Sequence, residues 1–343
     1  MTPVACTPIV WTGTHLRLLD QRRLPHEETY LAYDDARDVA AAITDMVVRG
    51  APAIGITAAY AVVLSARKHG QTQAMAHDLA ALAASRPTAV NLFWALARMQ
   101  RLLEGVAEIG ASTQARLEAE ASAIHAEDRA ACAAMGQQGA RFISPGSWVY
   151  THCNAGALAT GGEGTALAVV REAHRRGCVA GAFVGETRPW MQGSRLTAWE
   201  LLREGVPVTL STESAAATLF RQGRVHWLIV GADRISRNGD VANKVGTYPL
   251  ALLARLHGVK VMVVAPLSTL DTSLARGAEI PIEERPAAEL THFAGQQVAP
   301  PGCTAFNPAF DVTPAEAIDV LVTERGALEK PNEAGLSSWL AAG

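Results

Sequence analysis

The stretch THCNAG, residues 151–156, places a lone cysteine, Cys153, at the end of a short apolar run. A glycine-sprinkled turn, GALATGGEGT (156–165), follows and opens into a helical pattern. Amides at a helix start stabilise a thiolate, so the position suits a reactive cysteine. A small core residue is the other reading. His152 stands beside it, but neighbouring strand residues point to opposite faces, which argues against a Cys–His dyad or a metal pair. Asp233 closes a second apolar run, LIVGAD (228–233). A carboxyl in such company resists ionisation and becomes a proton donor near neutral pH. A cap on the Asn238–Gly239 turn or a pair with Arg234 is the alternative.

Other polar stretches suit an anionic, hydroxyl-rich ligand. RGAP (49–52) and RPTA (86–89) each set an arginine, Arg49 and Arg86, immediately before an expected helix N-terminus, where phosphate binds well; surface arginines are the blander reading. GETRPWMQGSRLTAWEL (185–201), stiffened by Pro189 and Trp190, reads as a loop that covers a substrate or as a plain connection. NGDVANK (238–244) offers Asn243 and Lys244 as a helix begins, for sugar hydroxyls or phosphate or simply for solvent. Lysine is scarce here, at positions 68, 244, 260 and 330 only. One inside a polar motif invites a role for a compact ammonium. The glycine-rich turn is neither GxGxxG nor a P-loop, so a nucleotide is weakly supported.

Two kinds of element must position these groups. The first part reads as mostly helical: 34–48 with Asp34 or Asp35 as N-cap, a helix from Pro52 to about 69, another opened by Arg86 and Pro87, and a long one over roughly 113–140. ISPGSW (143–148) is a turn-rich hinge, giving expected domains of 1–143 and 144–343. Beyond it, short β-branched runs at 148–152, 179–184, 206–211, 225–231 and 259–265 alternate with helical patterns. That alternation predicts βαβ units and a doubly wound parallel sheet. Ligands collect at the carboxyl ends of such strands, where Cys153, Glu186–Arg188, Glu213 and Asp233 all fall.

Composition narrows the classes. The 343 residues suit two domains, and 49% hydrophobic content supplies a sizeable core. A net charge of −3 without a basic stripe disfavours nucleic acid and anionic membrane as partners. The longest uncharged run, 50–66, is short for a membrane span and holds Pro52, Thr57, Tyr60 and Ser65. No basic-then-apolar leader opens the chain. Five scattered cysteines without CxxC or HExxH make neither a disulfide framework nor a zinc site. The expectation is a cytoplasmic protein.

Together, LLDQRRLP, RGAPAIG, RPTAVNLFWAL, THCNAG, GETRPWMQGSRLTAWEL, GADRISRNGDVANKVGTYPLA, VVAPLSTLD, and NPAFDVTPAEAI followed by VTERG span residues 18–326. This series resembles the methylthioribose-1-phosphate isomerases, part of a wider group with ribose-1,5-bisphosphate isomerases and the regulatory subunits of the translation factor eIF2B. The resemblance implies a smaller, mostly helical N-terminal domain, a Rossmann-like C-terminal domain and a homodimer. It implies an aldose–ketose isomerase that turns 5-methylthioribose 1-phosphate into the ketose 1-phosphate in methionine salvage, with no cofactor and no metal. It makes Cys153 and Asp233 the catalytic pair, Asp233 as proton donor. Arg49, Gly50, Ala51, Arg86, Gln192, Asn243 and Lys244 become substrate contacts. The alternatives are an isomerase of 5-deoxyribose 1-phosphate or ribose 1,5-bisphosphate, and a non-catalytic eIF2B-like binding protein, against which an intact Cys153 and Asp233 argue. One departure stands out: STESAAA (211–217) carries Glu213 where the family usually has aspartate, and Ser211 where it has an apolar residue.

Overall fold

Three short strands precede the helices: β1 (Ile9–Trp11), β2 (Leu16–Leu19) and β3 (Tyr30–Tyr33), an antiparallel sheet in that order. They are an addition to the helical reading of this region. The computed structural model describes residues 6–341. Helices α1 (Ala36–Thr44), α2 (Ala51–Lys68), α3 (Ala76–Ser85), α4 (Val90–Arg101) and α5 (Ala111–Ala140) follow. Asp35 caps α1, its side chain accepting from the Arg37 amide. Every residue of α2 from Ala53 to Ala66 is buried, as expected of a helix apolar on all sides, and its neighbours wrap it. Arg86 and Pro87 do not open a helix. Proline disfavours helical backbone at the residue before it, so Arg86 ends α3, the chain turns, and α4 starts only at Val90.

Helix α5 serves two cores. Leu117, Ala121 and Ile124 pack with α2 and the N-terminal helices, while Cys132, Met135 and Ala140 pack under the main sheet.

That sheet begins with β4 (Ser147–Thr151), α6 (Ala166–Arg175), β5 (Val179–Gly185), α7 (Ala198–Arg203), β6 (Val208–Ser211), α8 (Ala216–Arg221) and β7 (Trp227–Val230). A hairpin, β8 (Arg234–Ser236) and β9 (Val241–Lys244), interrupts the alternation before α9 (Thr247–Leu256) and β10 (Lys260–Val264). Next come β11 (Leu270–Asp271), α10 (Ala288–Thr291), a small hairpin of β12 (His292–Phe293) and β13 (Gln296–Gln297), and β14 (Phe310–Thr313). The described chain closes with β15 (Val320–Thr323), β16 (Gly326–Glu329) and α11 (Glu333–Ala341). All five expected strands lie in one seven-stranded sheet, ordered β16-β15-β10-β7-β4-β5-β6. Every neighbouring pair is parallel except β15–β16. A second sheet, β11-β8-β9-β14, stands beside it.

Two consequences concern the site. The chain runs outward from β4 to β5 and β6, then returns to lay β7 on the other side of β4, so the winding reverses between β4 and β7. Crevices at such reversals take ligands; Cys153 follows β4 and Asp233 follows β7. Asn243 and Lys244, read from sequence as a helix start, instead end β9, paired with Asp311 and Phe310 of β14. The left-handed turn at Gly246, φ 104°, separates them from α9.

Candidate active site

All nine residues singled out from the sequence line one cavity: Arg49, Gly50, Ala51, Arg86, Cys153, Gln192, Asp233, Asn243 and Lys244. It holds about 930 Å³ of space, open solvent at its mouth included. The ends of sheet strands supply Cys153 and Asp233, β9 supplies Asn243 and Lys244, and the turns before α2 and after α3 supply Arg49 and Arg86.

Cys153 sits in left-handed backbone, φ 66°, a rare state for a residue with a side chain that surrounding contacts must hold. Its amide donates to Thr187 Oγ1 at 2.8 Å, and its carbonyl accepts from Thr197 Oγ1 at 2.6 Å. His152 turns away from the thiol, as strand alternation predicts, and its Nε2 lies 2.9 Å from the Val245 carbonyl. Asn154 is tied on three sides, to Thr197, to Glu200 and to Arg49. Buried Glu200 also accepts from the amides of Ala157 and Leu158 and pairs with Arg171 at 2.6 Å, which fixes the glycine-rich turn.

Gly50 opens α2 at φ 94°, and a Cβ there would fall 2.5 Å from Ala159 Cβ. Only glycine lets the helix start lie against the glycine-rich turn. Arg49 donates from Nη1 to Asn154 Oδ1 at 2.8 Å and from Nη2 to the Asn154 carbonyl at 2.7 Å. It therefore braces the Cys153 turn besides facing the cavity. Asn243 donates to Thr247 Oγ1 at 3.0 Å.

The polar atoms facing the cavity are under-satisfied. Arg86 Nε and Nη1 and Gln192 Oε1 are buried without a partner. Lys244 Nζ lies 4.7 Å from the Phe310 ring centroid and makes no ion pair with any described residue. Buried polar groups are otherwise almost always paired, so such atoms mark where a ligand's oxygens belong. Burial pushes the Asp233 carboxyl above its ordinary value, although Lys244, Arg49 and Arg86 oppose the shift. Burial likewise raises the Cys153 thiol, against Arg49 and Lys244, and lowers the Lys244 ammonium. The alternatives for Asp233 fall away. Arg234 pairs with Asp271 at 3.2 Å, and the Asn238–Gly239 turn is held by Ser236 and Asp240.

Sequence reasoning missed Arg285 and Glu289, which also line the cavity; they lie outside every motif it used. Asn154 and Glu200 were inside quoted motifs, but their pairing across 46 positions has no local pattern.

A doubly wound sheet with a cation-rich pocket at its winding reversal defines a class of small-ligand α/β protein. The model of the initiation factor 2 subunit family matches residues 47–330. The chain is 57% identical over 337 residues to a methylthioribose-1-phosphate isomerase of Thioalkalivibrio sulfidiphilus, covering 97% of this chain and 96% of that one. Its fold superposes with a TM-score of 0.92 on the crystal structure of 5-methylthioribose 1-phosphate isomerase from Pyrococcus horikoshii, at 40% identity over 100% and 99% of the two chains. It is also similar to the structure of the translation initiation factor eIF-2B subunit delta from A. fulgidus, with TM-score 0.84 and 38% identity over 97% and 100%. The chain belongs to the initiation factor 2 subunit family and, within it, to the methylthioribose-1-phosphate isomerases.

Proposed function

We propose that this protein isomerises 5-methylthioribose 1-phosphate to 5-methylthioribulose 1-phosphate. The observation that carries the reading is the cavity, where Lys244 and two unpartnered donor atoms of Arg86 face the Asp233 carboxyl and the Cys153 thiol, both half-buried. Arg86, Lys244 and the start of α2 suit the phosphate. Gln192 Oε1 suits a sugar hydroxyl, which can donate to it.

The chemistry follows from the substrate. With phosphate on the anomeric oxygen, the ring cannot open to a free aldehyde. It opens when a proton reaches the ring oxygen, and the raised Asp233 carboxyl is the group to deliver it. Hydrogen then moves from C2 to C1, with Cys153 beside the reacting carbons. Either the Cys153 thiolate takes the C2 proton and returns it to C1, or a hydride passes directly; on both routes the C2 hydroxyl gives its proton to the Asp233 carboxylate as C2 becomes the carbonyl, which restores the acid.

The test is a panel of 5-methylthioribose 1-phosphate, 5-deoxyribose 1-phosphate and ribose 1,5-bisphosphate followed by phosphorus NMR. Turnover highest with the first supports the reading, and a preference for another sugar transfers it there. The similarity to the A. fulgidus eIF-2B subunit keeps one opposing reading, a non-catalytic binding protein. Absence of turnover on all three sugars would favour it.

Lys244→Ala is expected to raise KM for the sugar phosphate about tenfold or more, since a charge-assisted bond to an oxyanion is lost. Isothermal titration with inorganic phosphate checks it; unchanged affinity would remove Lys244 from the phosphate site. A homodimer is the assembly we propose. Tyr248, Leu252 and Leu256 repeat every four residues along α9 and are all exposed, an apolar stripe suited to a second copy. A monomeric mass by light scattering at micromolar concentration would overturn it. Five unpaired cysteines fit a cytoplasmic setting.

A further inference from the structure

The carboxyl ends of β4, β5 and β6 stand side by side, with Thr151 opposite Val184 and Gly185 opposite Ser211. Just beyond them a polar cluster lies behind Cys153, with His152 and Thr187 buried and Glu213 half-buried. Glu213, past β6, accepts the Thr187 amide on Oε1 at 2.7 Å. Thr187 Oγ1 accepts the Cys153 amide at 2.8 Å and donates to the Gly185 carbonyl at 3.0 Å. His152 Nδ1 lies 3.4 Å from Thr187 Oγ1 and 3.6 Å from Glu213 Oε1. The other ring nitrogen meets the Val245 carbonyl, next to Lys244.

We infer that Glu213 is a positioning residue for the reaction, holding Cys153 in place through Thr187 and His152. It does not line the cavity and acts only through these neighbours. Two features require such support. Cys153 and Thr187 both have left-handed backbone, φ 66° and 63°, and a β-branched residue stays there only when held. Each of the two has its amide fixed by this chain of bonds.

The long reach of glutamate has room because β5 ends in Gly185. A Cβ there would fall 2.6 Å from Glu213 Oε1, 2.8 Å from Tyr150 Oη and 3.3 Å from His152 Nδ1. Burial pushes the Glu213 carboxyl up, yet the nearby His152 ring and the hydrogen bond from the Thr187 amide outweigh it and hold the carboxyl below its ordinary value. The glutamate at this position, where the resembling family usually carries aspartate, is thus built into the site by a glycine that clears its path.

This inference rests on the isomerase reading for its kinetic arm, so a second arm uses the unliganded protein. In Glu213→Ala, kcat with 5-methylthioribose 1-phosphate is expected to fall about 10–100-fold while KM stays within about twofold, the pattern of a displaced catalytic group. Alkylation of Cys153 by iodoacetamide, followed by peptide mass spectrometry, is expected to change at least about fivefold, with Cys303 labelling unchanged. Glu213→Gln keeps an acceptor for the Thr187 amide and is expected to restore part of both. Thr187→Val, which removes the oxygen that holds the Cys153 amide, supplies the same two readouts if Glu213→Ala does not fold. Unaltered Cys153 labelling and kcat in the folded variants would overturn the inference. So would equal losses in Glu213→Ala and Glu213→Gln that track melting temperature. If the wild type turns over no sugar phosphate, the isomerase reading fails, and the labelling arm decides alone.

Discussion

Asp233→Asn is expected to lose about three orders of magnitude in turnover while keeping its fold, the cost of removing a general acid. Asparagine is near-isosteric but cannot deliver a proton to the ring oxygen. Stability is expected to move the other way at neutral pH. Burial raises the carboxyl in the folded protein, so the folded state holds its proton more tightly than the unfolded chain does. Stability then falls as pH rises from the unfolded value through the folded one, and the ionised carboxylate is a burden above both. Removing it is expected to leave the melting temperature at pH 7–8 unchanged or higher. A variant with a tenth of wild-type turnover would rule out the acid role. A clear drop in melting temperature would mean that the carboxylate is stabilising where it stands.

Cys153→Ser is expected to lower turnover about a hundredfold or more, with hydrogen still passing from C2 to C1 inside the protein. Serine is a far poorer base than cysteine at neutral pH yet remains polar. The informative measurement is the fate of deuterium placed at C2. Cys153 lies in a cavity walled on one side by the stretch that carries Trp190 and Gln192, which restricts the access of bulk water to a bound sugar. Deuterium is expected largely at C1 of the wild-type product with little washout. Complete exchange with solvent would overturn the closed site. Activity retained in the serine variant would exclude Cys153 as the base and leave the hydride shift.

What the sequence made legible follows physical rules of reach. The five strands showed because each lies in a short run of mostly apolar residues, in β4, β7 and β10 buried on both faces, and the crossover helices between them have their own period. β15 escaped as a strand although Val320–Thr323 is fully buried, because four residues carry too little periodicity. The strands of the second sheet are two to four residues long and, beyond the local β8–β9 hairpin, depend on pairing with distant chain, as β9 does with β14. That is why Asn243 and Lys244 looked like a helix start. The site was legible to the extent that strand ends converge by topology. Cys153 and Asp233 could be brought together from that rule alone. The link of Arg49 to Asn154 spans 105 positions and obeys no spacing. It could not be foreseen, nor could the double duty it gives that arginine.

Helix α5 is a stiff beam. Thirty residues make a rod of about 45 Å, anchored at one end among the helices that carry Arg49 and Arg86 and at the other beneath the sheet that carries Cys153 and Asp233. Bending such a rod would break packing in both cores at once. The helix thereby ties the cationic roof to the reactive floor. Traffic through the site has to be managed by its walls: the stretch around Trp190 and the segment with Arg285 and Glu289, joined where Arg188 donates to the Glu289 carbonyl. Arg188 also lies over the Phe293 ring, so one side chain ties the two walls together.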